Sequence, residues 1–101
     1  MQSLVLVDDL HADARQGRKK NTIRNGIRDI IRGSLEFKSS SGSLPGFVVE
    51  VIEVLFKKAS EITTAELCEN GFTDYEHMLS GMKRFYPDFG PVSDITLIRW
   101  A

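Results

Sequence analysis

Gly17-Arg18-Lys19-Lys20-Asn21-Thr22-Ile23-Arg24 lies where a helix gives way to a strand. On its upstream side Asp8 suits the cap of a helix over Asp9 to Gln16, and Gly17 stands where a helix C-terminus takes a left-handed residue. On its downstream side Lys20 to Asn25 reads as a strand, and Asn25-Gly26 as the turn that ends it. Lys19 and Thr22 are three apart, so in one regular strand they would face opposite sides. They reach a common cleft only if Lys19 belongs to the turn after Gly17 and the strand begins later. Thr22 and Arg24, two apart, share a face without that device.

Moving outward, Gln2 to Val7 suits a first strand, Ile27 to Arg32 a short extended piece, and Leu35 to Lys38 another strand. Ser39-Ser40-Ser41-Gly42-Ser43 is a polar loop closed by Pro45. Phe47 to Phe56 is the longest strand, so rich in β-branched and aromatic residues that it reads as covered on both faces. A bulge between Glu50 and Glu53 would bring both carboxylates to water, because an odd spacing otherwise opposes them. Thr63 with Glu66, and Thr73 with Glu76, have the spacing of capping boxes and open two helices. The first stops at Asn70-Gly71; the second carries a core stripe of Tyr75, Met78, Leu79, Met82 and Phe85 and ends before Pro87. Asp94 to Trp100 closes the sheet, with Trp100 as a buried aromatic. Strands interrupted by helices at two points predict an α+β fold built on a small, mixed, barrel-like sheet.

The chain has 101 residues, 42% hydrophobic and 27% charged, which argues for one soluble domain over residues 1–101 and against disorder. No apolar run spans a bilayer, and Gln2 to Val7 is too short for the core of a signal peptide, so a cytoplasmic protein, monomeric by default, is expected. One cysteine, Cys68, excludes an internal disulfide and, with only two histidines, a zinc finger. Cys68 reads as a packed small residue, and His11 and His77 as surface or boundary residues with no metal-ligand spacing. The net charge of −1 conceals an asymmetry. Eight basic residues from Arg15 to Lys38 face Asp29 and Glu36, a local charge of +6, whereas Glu50 to Asp94 carries −5. The basic segment either forms a surface for a phosphate backbone or pairs with the acidic helices; sequence order leaves both open.

Gly17, Lys19 and Arg24 have the spacing G-x-K-x-x-x-x-R across a helix-to-strand junction, which resembles the signature of the ASCH domain, a family related to the PUA RNA-binding fold. Thr22 matches the threonine common in its small bacterial members. Gly33 before a strand, the Asn70-Gly71-Phe72 turn between two helices, and Tyr86-Pro87 after the second extend the resemblance over most of the chain. The resemblance implies a PUA-like β-barrel with helices packed round it and a cleft for a nucleoside or RNA. In some small members it implies hydrolysis of the acetyl amide of N4-acetylcytidine, without metal or organic cofactor. Carried over by position, Lys19 is the general base, Thr22 the nucleophile and Arg24 the substrate anchor, with Arg18, Lys20 and Asn70 also against the substrate. The family's acidic residue aligns with Asn70, so Glu69, one residue earlier, is the proton donor left to consider. Ser34 stands where the family usually has an aspartate.

The chemistry sets its own conditions. A threonine hydroxyl needs a neighbouring base, and a lysine is that base only if its pKa falls well below ~10.4. Arg18, Lys20 and Arg24 supply like charge, and burial would add to it. The blander readings are a solvated Lys19 and Glu69, a Thr22 chosen as a strand former, and an Arg24 paired to an acidic helix. Two other functions follow from the same segment: a non-catalytic RNA-binding module, and, ranked last, a metal-dependent ribonuclease, for which no compact carboxylate cluster lies beside the basic run.

Overall fold

Five strands, β1 (Gln2–Leu6), β2 (Asn21–Asn25), β3 (Gly33–Ser39), β4 (Phe47–Lys58) and β5 (Asp94–Trp100), form one mixed sheet in the order β1-β3-β4-β5-β2. The computed structural model describes residues Met1–Ala101. β1 runs parallel to β3 and every other pair is antiparallel. The sheet curls into a half-barrel accompanied by three helices, α1 (His11–Arg15), α2 (Thr64–Asn70) and α3 (Tyr75–Lys83). No helix is long and apolar enough to cross a membrane.

β1 and β2 are the two sheet edges, and the half-barrel is open between them. Arg24 spans that seam, donating from Nη1 to the carbonyl of Val5 at 2.9 Å. A side chain thus stands in where a further ladder would have closed the barrel.

β5, rather than β4, is covered on both faces. Ile95 and Leu97 pack with Met78, Met82 and Leu67 of the helices, whereas Ile98 and Trp100 pack with Leu35, Phe37 and Leu6 inside the curl. Each such side chain removed from water contributes ~1.5–3 kcal/mol. On β4 only Val51 is fully buried, while Val48, Ile52 and Phe56 are exposed. β-Branched composition raises strand propensity wherever a strand lies, so it does not tell a two-faced strand from a one-faced one. The expected bulge is present: Val51 pairs Trp100 and Glu53 pairs Arg99, leaving Ile52 as the extra residue. It sets Glu53 beside Arg99 at 3.0 Å, so that carboxylate is engaged as well as partly wet.

Local signals fared unevenly. Thr63 and Glu66 make their capping box, and Gly71 (φ 106°) ends α2 in the left-handed region. Thr73 and Glu76 do not; Asp74 caps α3 instead, accepting from the His77 amide at 2.8 Å. Asp8 caps nothing, because its carboxylate binds the hydroxyls of Ser39 and Ser41 and the amide of Ser40, pinning the serine loop. His11 is buried, its Nε2 donating to the Leu6 carbonyl at 2.9 Å, and Cys68 is exposed on α2. Met78 and Met82 of the predicted stripe are core, but Phe85 lies beyond α3 and is 48% exposed.

Candidate functional site

β2 begins at Asn21, which leaves Lys19 in the turn after Gly17 (φ 80°). Backbone bonds hold that turn at both ends. The amides of Arg18 and Lys19 donate to the carbonyl of Asp13, and the amide of Lys20 donates to the carbonyl of Glu69 at the end of α2. The chain geometry that a shared Lys19–Thr22 cleft requires is therefore present, and both residues line one cleft of about 460 Å³ at the β1–β2 seam. Arg24 and Asn70 line it too, with Phe72, Tyr86 and Arg84 among the other walls. Gly81 on α3 admits Phe72 closely: a Cβ there would sit 3.0 Å from the ring.

Lys19 is 4% exposed and makes no ion pair. Its Nζ donates to Asn70 Oδ1 at 3.0 Å. Burial, with the Arg24 charge added, pushes the Lys19 amine down to about 7 against the weaker pull of Asp13. The Asn70 amide cannot turn over, because its Nδ2 donates to Asn21 Oδ1 at 2.7 Å and to the Asn21 carbonyl at 3.3 Å. Asn21 is itself fully buried and fixed, donating from Nδ2 to the Glu66 carbonyl at 2.9 Å and to Glu69 Oε1 at 3.1 Å. Thr22 Oγ1 accepts from Arg24 Nε at 3.0 Å, which leaves the threonine's own proton free for another acceptor.

Glu69 does not line this cleft. Arg99 takes its carboxylate in a two-pronged pair at 2.8 and 2.6 Å, and those bonds hold its carboxyl below the usual range. Arg18 is exposed and paired to Asp13 at 2.8 Å, and Lys20 borders a separate depression with Arg15, Phe47 and Trp100. The basic segment does not form one patch: Arg15 covers the Phe47 ring and Arg32 and Lys38 face solvent elsewhere, while Arg28 binds the hydroxyl of the cleft residue Tyr86. So the fold brings together Lys19, Thr22, Arg24 and Asn70, and sets Glu69, Arg18 and Lys20 outside. It adds Asn21, Arg84 and Phe72. Asn21 carries a sequence signal only as a polar residue inside the signature stretch; Arg84 carries none. No three His, Cys, Asp or Glu side chains gather in a way that would hold a metal ion.

The chain matches no family model, and no curated protein matches it in sequence. Among solved structures it superposes on an ASCH domain from Lactobacillus crispatus with a TM-score of 0.71 at 10% identity, covering 98% of this chain and 78% of that one. The fold is ASCH-like. A protein of family DUF984 from Enterococcus faecalis agrees, with a TM-score of 0.67 at 9% identity over 99% of this chain and 79% of the other. In this ASCH-like half-barrel the cleft lies at the open seam, walled by the signature turn, β1 and the end of α3. Identity this low carries the architecture and leaves activity to be argued from the side chains.

Proposed function

We propose that the seam cleft binds a cytidine-like nucleoside or RNA and hydrolyses an N4-acyl amide, with Lys19 as general base and Thr22 as nucleophile. The observation that carries this reading is a buried lysine without an ion pair, its amine pushed down to about 7 by burial, in one cleft with a threonine whose oxygen is already hydrogen-bonded by Arg24. At pH 7 about half of such lysines are neutral, against about one in three thousand for a solvated lysine. With one N–H committed to Asn70, the neutral amine presents its lone pair elsewhere.

In the first half-reaction Lys19 takes the Thr22 proton as Oγ1 bonds to the acyl carbon. The bond from that carbon to N4 breaks, and the lysine ammonium returns its proton to the leaving amine. Lys19, neutral again, takes one proton from a water whose oxygen bonds to the acyl-threonine carbon; the bond from that carbon to Oγ1 breaks, the proton passes to Oγ1, and the acid leaves with the water's other hydrogen. Lys19 carries the proton in each half-reaction, so no carboxylic acid is needed at Asn70. Asn70 accepts from the ammonium as it forms, and Glu69 acts at a distance, through Asn21, by keeping that amide in place.

Incubating the protein with N4-acetylcytidine is expected to release cytidine, and Lys19→Ala to abolish the release with the fold intact. Equal rates from the two proteins would overturn the mechanism. A second reading, binding of RNA without turnover, is favoured by the neutral Asn70 where the resemblance expects an acid. It predicts no cytidine release but RNA affinity that falls steeply with salt.

A further inference from the structure

Charge along the cleft is sorted. Two carboxylates line it, the exposed Asp9 and Asp13, which is paired to Arg18 and acts on Lys19; the charged and titratable groups facing Arg24 are Lys19, Arg28 and Tyr86. Arg24 spends Nε on Thr22 and Nη1 on the Val5 carbonyl, and its Nη2 has no acceptor within the protein. Arg28 does not line the cleft itself but meets its wall at Tyr86, donating from Nη2 to that hydroxyl at 3.3 Å while Nε is held by the Asn25 carbonyl. Arg84, exposed where α3 ends, lines the cleft beside Tyr86. The chain has 14 carboxylates for 13 basic residues, yet its ion pairs engage Arg18, Lys57, Lys58 and Arg99 and none of these three arginines. Arginines that no carboxylate pairs, with fork donors still free, present the donors that phosphate oxygens fill.

We infer that the Arg24–Arg28–Arg84 corner is a phosphate subsite, so that the ligand of this cleft is a nucleotide, its phosphate at the arginines and its base toward Lys19. The placement of the base rests on the proposed function; the placement of the phosphate does not. A cleft of about 460 Å³ is large enough to take both parts of such a ligand.

The full chain, labelled so that its arginine Nε–H signals are seen by NMR, is titrated with inorganic phosphate, cytidine, cytidine 5′-monophosphate and single-stranded tetracytidylate. Phosphate alone is expected to move the Arg24 and Arg28 signals. Cytidine 5′-monophosphate is expected to bind at least about tenfold tighter than cytidine at low salt, the worth of one or two charge-assisted hydrogen bonds, and the ratio to shrink as salt rises. In Arg28→Gln, and separately in the solvent-exposed Arg84→Gln, that ratio should fall several-fold. Tetracytidylate binding more tightly than the mononucleotide would make the source of the phosphate RNA; the reverse order would make it a free nucleotide. Equal affinity for cytidine and its monophosphate, or a ratio untouched by both substitutions, would overturn the subsite. Phosphate binding at these arginines with no preference for any cytidine compound would keep the subsite and sink the base assignment.

Discussion

Glu69 and Asn70 are consecutive residues at the end of one short helix, and they serve two unlike environments. Glu69 turns toward Arg99 and Glu53 at the partly wet outer face, where charge is met by charge. Asn70 turns inward to a lysine that has no counter-ion. The buried amide of Asn21 joins the two regions, touching both side chains. One helix end therefore keeps a carboxylate a step away from Lys19. A carboxylate at Asn70 would instead favour the ammonium form of Lys19. The difference teaches that burial, the main cause of the low Lys19 pKa, acts beside a helix end that offers the amine an amide and no carboxylate.

The largest effect expected from breaking this arrangement is on the pH dependence of stability. Lys19 titrates near 7 when folded and near 10.5 when unfolded, so between those values the unfolded chain binds more protons. The stability that Lys19 withholds is then fully missing below pH 7 and is recovered as pH rises toward 10.5. Lys19→Met should be stabilised relative to the parent most strongly below pH 7. That advantage should shrink by up to about 1.4 kcal/mol per pH unit above it. The methionine also leaves Asn70 Oδ1 without its donor, a cost of ~1–3 kcal/mol that does not vary with pH, so the slope is the diagnostic. Urea unfolding of both proteins from pH 6 to 10 reads it, and parallel curves would mean that Lys19 is not desolvated.

Next in size is the inner region alone. Asn70→Asp sets a carboxylate about where an amide oxygen now lies 3.0 Å from Nζ. An opposite charge at that distance favours the ammonium and should raise the Lys19 midpoint from about 7 to roughly 9. The substitution also turns a donor facing Asn21 Oδ1 into an acceptor, and Asn21 cannot rotate to answer it without losing the Glu66 carbonyl and Glu69. A loss of ~1–3 kcal/mol in stability should accompany the shift. Titration of the Lys19 ε-carbon by NMR checks the first expectation; a midpoint that stays near 7 would show that desolvation alone sets it.

Much of this was legible in the sequence, and the boundary has a physical reason. The helix-to-strand junction, the bulge near Glu53 and the Thr63–Glu66 cap are local, set by residues within a few positions of each other, and they appear as read. The meeting of Lys19, Thr22 and Arg24 in one cleft was legible for the same reason, since only the turn after Gly17 had to be placed. Long-range pairings were not. Asp8 has the chemistry of a cap, yet the serine loop 31 to 33 residues later claims it. Arg99 carries no sequence mark that would name Glu69 as its partner, and without that pair Glu69 looks as free as any helix-end carboxylate. Two-sided burial of β5 depends on which strands flank it, and a strand's composition does not record its neighbours.

The smallest effect should come from the outer region, and it sharpens the comparison most. Glu69 and Arg99 are each about one-third exposed, so their pairing is screened and worth at most ~1 kcal/mol. Glu69→Gln keeps an oxygen for Asn21 Nδ2 and Arg99 Nε, and removes the charge together with the acceptor facing Arg99 Nη2. Stability should fall by less than ~1 kcal/mol, and the Lys19 midpoint should stay near 7, because Asn21 and Asn70 stand between the two groups and Arg99 already neutralises the carboxylate. Cytidine release from N4-acetylcytidine should then persist within a few-fold of the parent rate. If Glu69 were the proton donor to the leaving amine, the same substitution would abolish release while leaving Lys19 unchanged. Its carboxyl, held below the usual range by Arg99, is ionised at neutral pH and carries no proton to give, which is why persistence is the expected result.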